Sequence, residues 1–209
     1  MNAVSQDPAA RRRSRWWLIF VLGVFAAPLA IAWLILGVFP DLAPKGKVNH
    51  GELVSPVRAM PPFKLQTLSG ESLDETFFRG KWTIVYLAKG ICERPCVEQL
   101  YNIRQVRLAQ GKNIDRLQRL LLWKDEGISD EKRAELREHF PGQVIVALGD
   151  QGAPALLKTF LLDAEQPLDA GRVYLVDPLG HLMMSYEPDY EPKGMIKDLE
   201  RLLKYSGLG

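Results

Sequence analysis

The sequence predicts an α/β domain behind one N-terminal transmembrane helix. Three observations predict it. The 24 residues from Trp16 to Phe39 carry no charged side chain; beyond Pro62, strand-like and helix-like patterns alternate; and a hairpin signature followed by an amphipathic helix closes the chain. At 209 residues, 47% apolar and 25% charged, the chain is long enough for one ordinary domain plus an appendage. It is too apolar for a disordered or collagen-like polymer.

Taken in order, residues 1–15 are a basic tail, with Arg11, Arg12, Arg13 and Arg15 opposed only by Asp7. Residues 16–39 form the span. At about 1.5 Å per residue this helix is about 36 Å long, enough to cross a hydrocarbon core of about 30 Å. A cleavable signal peptide is the competing reading, but its apolar region is about 7 to 15 residues and ends in a small-residue cleavage site. Here Ala30-Ile31-Ala32 lies inside the run, with Trp33 to Phe39 still behind it. Pro28 kinks rather than breaks a helix in a bilayer. The arginines orient the N-terminus toward the cytoplasm, so in a bacterium the rest faces the periplasm from the inner membrane. Four of the 27 basic and one of the 25 acidic residues precede the end of the run, leaving 23 against 24. The folded part therefore has no overall positive field to advertise a nucleic-acid partner.

Residues 40–60 read as a tether, part of a proline-rich stretch from Pro40 to Pro62 without helical or alternating periodicity, and residues 61–209 as the domain. Phe63 to Leu68 alternates toward a turn at Ser69-Gly70. Trp82 to Ala88 (WTIVYLA) is a continuous apolar run and reads as a buried strand. Val97, Leu100, Ile103 and Val106 give a helix from Pro95 to Gln110, which Gly111 ends. Leu117 to Trp123 (LQRLLLW) is a strand, and Asp130 to His139 a polar helix. Val144 to Leu148 is strand-like, Pro154 to Leu162 helical, and Val173 to Val176 a strand. Asp177-Pro178-Leu179-Gly180 is a turn that leads into the returning strand Leu182 to Tyr186. From Pro192 a last helix puts Met195, Leu199, Leu202 and Leu203 on one face, with Gly207 as its stop.

The chemistry concentrates in residues 80–96, GKWTIVYLAKGICERPC, where a buried strand empties into a short loop holding Cys92 and Cys96 just before a helix. These are the chain's two cysteines. In an exported domain, disulfides persist. A helix N-terminus favours a thiolate, and Lys89 and Arg94 add positive charge. A spacing of four brings the sulfurs close in either a helical turn or a loop, so they can pair or pinch one soft ion. Inert core cysteines are the alternative. There is no Gly-rich phosphate loop, Ser/His/Asp set or His-x-x-x-His pattern.

From about Pro62 onward the chain resembles the Sco/SenC family of copper-handling, thioredoxin-fold proteins that assist cytochrome c oxidase assembly. The resemblance rests on the GKW-led strand, Cys92-x-x-x-Cys96, Asp125 after the next strand, and Tyr174-Leu175-Val176-Asp177-Pro178-Leu179-Gly180. It implies a thioredoxin-like fold, with a central mixed sheet flanked by helices. It also implies a site at Cys92 and Cys96 that acts as a redox dithiol or a Cu(I) ligand pair, and an oxidase subunit or other assembly factor as partner. The family's third copper ligand, a histidine a few residues before the Tyr-Leu strand, falls at or beside Asp169, in Leu168-Asp169-Ala170-Gly171, where no histidine stands. A carboxylate is a hard donor and a poor substitute at Cu(I). That difference favours reduction of a partner's cysteines over copper carriage. A general periplasmic thiol-disulfide oxidoreductase and a non-catalytic binding module are the rival readings.

Other candidates read as structural. His181 stands at the far end of its strand from Asp169, His139 ends a surface helix and His50 lies in the tether. Met183 and Met184, adjacent on a strand, point to opposite faces. Arg104, Arg107, Lys112, Arg116 and Arg119 read as a solvated face.

Overall fold

The computed structural model describes residues 8–38, 49–124, 129–149, 153–162 and 166–207. The chain forms two units, residues 1–48 and 49–209. In the first, helix α1 spans Pro8–Gly37. Its Arg15–Gly37 stretch, 23 residues with mean hydropathy 2.6, is long and apolar enough to cross a membrane. Large apolar side chains are exposed all round it, including Trp16, Phe20, Leu29 and Trp33. Such a surface suits lipid rather than water.

The second unit is built on a six-stranded mixed sheet, helped by a small hairpin. Its elements are β1 (Glu52–Ala59), β2 (Lys64–Gln66), β3 (Ser72–Asp74), β4 (Trp82–Lys89), α2 (Arg94–Ala109), β5 (Leu117–Lys124), α3 (Asp130–His139), β6 (Gln143–Ala147), α4 (Pro154–Thr159), β7 (Val173–Val176), β8 (His181–Tyr186) and α5 (Pro192–Tyr205). The sheet order is β1-β8-β7-β4-β5-β6, with β4, β5 and β6 parallel and the remaining pairings antiparallel. β2 and β3 pair separately, and Thr67 bridges to Val146 at the edge of β6.

The run from Trp82 to Ala88 is apolar throughout because β4 is central and covered on both faces. Ile84, Tyr86 and Ala88 join the core under α2 and α5, with Leu100, Ile103, Met195 and Leu199. Val85 and Leu87 join a second core with Phe78, Leu156 and Phe160 on the opposite face. β5 alternates the same way, Leu121 and Trp123 against Leu120 and Leu122.

The structure corrects the tether. Residues 52–59 are strand β1, paired antiparallel with β8. The sequence pattern hides this because β1 is an edge strand with a register shift between Leu53 and Arg58, so that among its residues Val54 alone is buried. An edge strand tolerates Pro56, since one side of its backbone has no ladder partner. Interactions at both ends fix it. Arg58 Nη1 donates to the carbonyls of Thr159 and Leu161, closing the end of α4. At the other end the N–H groups of His50 and Gly51 donate to the buried Asp198 carboxylate of α5 at 2.9 Å, and His50 Nδ1 lies 3.3 Å from it. Tyr186 Oη donates to the same carboxylate at 3.2 Å. The packing is close: a Cβ on Gly194 would stand 2.8 Å from His50, and one on Gly51 2.6 Å from the Tyr186 ring.

A second correction concerns Met183, the extra residue of an irregularity between Leu175 and Val176 in the β7–β8 pairing. It packs partly against the same core as Met184, so the strict alternation expected of neighbours fails there.

Burial raises the pKa of Tyr86, and it raises those of Tyr186 and Tyr190 further, with the Asp198 charge adding at Tyr186 and Tyr86 adding at Tyr190. Unfolded tyrosines ionise from about pH 10, whereas these keep their protons in the fold. Their contribution to stability is thus complete below about pH 10 and declines as pH rises above it. Denaturation midpoints of residues 49–209 should fall steeply on the alkaline side. A near-ultraviolet absorbance titration should show these three ionising only as the domain unfolds. Asp198→Ala, which strands two backbone donors and the Tyr186 hydroxyl, should cost about 3 kcal/mol in the same denaturation assay.

Candidate functional site

The two cysteines hang from the end of β4. After Lys89 the chain turns at Gly90, whose φ of +70° lies in the left-handed region that favours glycine. β5 grips Gly90 twice: its N–H donates to the Lys124 carbonyl at 2.9 Å, and its carbonyl accepts from the Trp123 indole at 2.8 Å. Trp123 is fully buried, so the hold does not depend on a mobile side chain.

Beyond Gly90, Cys92 precedes α2 and Cys96 lies in its first turn, joined by a disulfide with the Cα atoms 5.1 Å apart. The loop-or-helix alternatives left by the spacing resolve into one residue of each kind. α2 starts without a side-chain cap, and Pro95 in its first turn has no N–H to give. The positive end of the helix is therefore directed at the sulfurs, which favours a thiolate on reduction. Cys92 is 1% exposed and Cys96 9%, while Ile91 between Gly90 and Cys92 is 63% exposed. Glu93, Arg94, Pro95 and Val97 are exposed as well. The disulfide thus sits beneath a partly apolar rim.

Asp169 approaches the end of β4. Its Oδ1 lies 3.5 Å from Lys89 Nζ, three residues before Cys92, and both side chains are about half exposed. Together with Lys124, Lys158, Leu157 and Leu168 these two line a cavity of about 450 Å³. At the place expected for a histidine, at or beside Asp169, stands a carboxylate paired with an ammonium group. Among the described residues no three His, Cys, Asp or Glu side chains converge as a metal site. The residues present do not complete a Cu(I) centre: the two sulfurs are joined to each other, and among the described residues no third soft donor is brought to them.

The remaining candidates lie elsewhere. His181 pairs with Asp177 at 3.3 Å at the hairpin end of the sheet. Thr83 of β4 faces Val176, so the length of β4, about 20 Å, separates that end from Lys89. His139 is exposed, its Nδ1 2.8 Å from the Glu135 carbonyl. His50 serves Asp198. Asp125 lies outside the described residues. Arg119 departs from the reading as part of a solvated face: it is 2% exposed on β5. Sequence reasoning missed the Trp123–Gly90 clamp and the Lys89–Asp169 pair. A tryptophan ending a strand beside a loop glycine was the available sign of the first; the second links positions 80 residues apart and left no sign.

A mixed sheet whose central strand delivers a cysteine pair to the start of a helix defines a thioredoxin-like domain. The chain belongs to the family described as transmembrane-like, thioredoxin-like, C-terminal domain, whose model matches residues 82–206. No curated protein matches the sequence. Among solved structures, the copper-bound ScoI of Bradyrhizobium japonicum is 20% identical, with 69% of this chain and 99% of that one covered and a TM-score of 0.53. Yeast Sco1 is 19% identical, covering 70% and 98%, with a TM-score of 0.58. BsSco, a member of the Sco family of cytochrome c oxidase assembly proteins in which a disulfide switch was identified, is 13% identical, covering 71% and 95%, at 0.54. Identities this low speak for the fold.

A disulfide closing so short a loop stabilises the fold by only about 2 kcal/mol in the chain-entropy view. Reduction should therefore leave residues 49–209 folded with near-native circular dichroism, and the buried thiols should be alkylated more slowly than in denaturant; unfolding on reduction would make the bond structural. Trp123→Phe, which removes the indole donor to Gly90, should cost about 1 kcal/mol and speed thiol alkylation.

Proposed function

We propose that this chain is a single-pass, membrane-anchored thiol-disulfide protein of the Sco type, with its domain in the periplasm and a cysteine-bearing subunit of cytochrome c oxidase, or a fellow assembly factor, as its partner. The observation that carries the reading is the Cys92–Cys96 disulfide at the start of α2, with the Asp169 carboxylate held by Lys89, three residues before Cys92. It leaves two sulfurs able to exchange electrons and no third soft donor to retain copper.

In the forward step a Cys92 or Cys96 thiolate attacks a sulfur of the partner's disulfide, forming a mixed disulfide and releasing one partner thiolate. The second cysteine then attacks its neighbour's sulfur, releasing the other partner thiolate. Two electrons pass to the partner, whose thiols take up two protons. This chain leaves as the disulfide, and a dithiol reductase must reduce it before the next turnover. The partner's freed thiols are then competent to take copper. The buried pair under an exposed rim of Ile91 and Val97 supports exchange with a docked protein over exchange with small thiols.

The test is trapping in cells carrying the full chain. With one cysteine replaced by serine, resolution fails, and a mixed disulfide with an oxidase subunit should accumulate at the other. Absence of that adduct, with copper-loaded chain recovered instead, would favour carriage of Cu(I). The metal chemistry has its own check: Asp169→His should tighten Cu(I) binding by about tenfold or more, roughly 1.4 kcal/mol, while His181→Ala leaves it unchanged. A copper affinity that ignores position 169 would mean that this loop does not serve the sulfurs.

A further inference from the structure

Arg119 is a buried cation outside the dithiol site, with unused donors. Its Nη2 donates to the Pro141 carbonyl at 2.7 Å. Its Nε and Nη1, both shielded from solvent, have no partner among the described residues. Arg107 of α2 comes to the same region, its Nε donating to the carbonyl of Leu117, two residues before Arg119 on β5, at 2.8 Å; Arg104 stands about one turn before it on α2, and its charge also acts on Arg119. Both are half-buried. None of the three takes part in an ion pair among the described residues. Burial first, then the charges of Arg107 and Arg104, lowers the Arg119 pKa to about 10, so it stays cationic at neutral pH.

An unpaired buried charge is destabilising, and each unsatisfied buried donor adds to that cost. Three guanidinium groups without a carboxylate form a site that lacks its counter-ion. Guanidinium groups match the oxygens of phosphate in geometry and charge, and each can share one oxyanion with its neighbours. We propose that Arg104, Arg107 and Arg119 bind a phosphate-class oxyanion, taken either as free phosphate or as the headgroup of an anionic lipid. Arg119 supplies a fixed, dry donor, while Arg104 and Arg107 form the mouth, with side chains long enough to swing aside and close over the anion. Arg119 lies four residues, about 13 Å, along β5 from the Trp123 clamp, so occupancy of this site is separate from thiol exchange.

The experiment is thermal unfolding of the full chain in zwitterionic detergent, titrated with inorganic phosphate against chloride at matched ionic strength. Phosphate should raise the midpoint by about 5 °C near saturation. R104Q/R107Q, which leaves the buried Arg119 in place, should lose that increment while keeping its thiol-alkylation pattern; K112Q, a nearby surface change, should keep it. If the double variant does not fold, R104Q alone should show a reduced increment. The source is resolved in phosphate-free nanodiscs. A rise in phosphatidylglycerol over phosphatidylcholine that R104Q/R107Q abolishes assigns a lipid headgroup, and a response confined to free phosphate assigns the soluble ion. Equal midpoints in phosphate and chloride and in both lipids, or an increment that survives in R104Q/R107Q, would overturn the proposal and leave ordered water as the partner of Arg119.

Discussion

The position of the sulfurs depends on one glycine. Gly90 is the first residue beyond the ladder of β4, and β5 takes both of its backbone groups, one through a main-chain carbonyl and one through a buried indole. β4 itself cannot shift, because it is paired on both edges and packed on both faces. Rigidity in the sheet is therefore passed to a three-residue gap between cysteines. A left-handed residue at that point turns the chain toward α2. A β-branched side chain at position 90 would strain the turn and loosen the register of both sulfurs.

The opposite edge of the sheet is held by charge as well as by packing. Asp198 accepts two backbone N–H groups and a tyrosine hydroxyl from segments that otherwise have little apolar surface to bury. A carboxylate satisfied this way locks the entry into β1 to α5, and Arg58 locks the exit from β1 to the end of α4. Two polar fastenings thus replace the hydrophobic stripe that β1 lacks. The chain enters the domain at a defined place on its surface, and movement of the dithiol relative to that place is limited by the stiffness of the sheet.

What was legible in the sequence follows from this division of labour. β4, β5, α2 and α5 announce themselves because apolar contact holds them, and apolar contact has a period. The α3 limits at Asp130 and His139 are readable from polarity and its Ser129 cap. β1 was not legible: its stability comes from ladder bonds to β8, Arg58 and a partner 148 residues away at Asp198, none of which leaves a local pattern. The same applies to Arg119, which sits among other basic residues in sequence yet faces inward because strand alternation places it on the side of Leu117 and Leu121. The place of the cysteine pair, between a buried strand and a helix, was legible from residue type and spacing. The pair's oxidised, buried state was not.

The Lys89–Asp169 pair bears on how that chemistry is tuned. A lone lysine three residues before Cys92 would favour its thiolate, but here a carboxylate shares the lysine's charge and both groups are half exposed, where solvent screens them. The lasting influence on the sulfurs is then the uncapped start of α2, which is fixed in the backbone. A helix terminus beside a cysteine pair favours thiolate over thiol once the disulfide is opened. The cysteine pair therefore takes its setting from the Gly90 turn and the backbone of α2, while the Lys89–Asp169 pair adds only a solvent-screened contact at the end of β4.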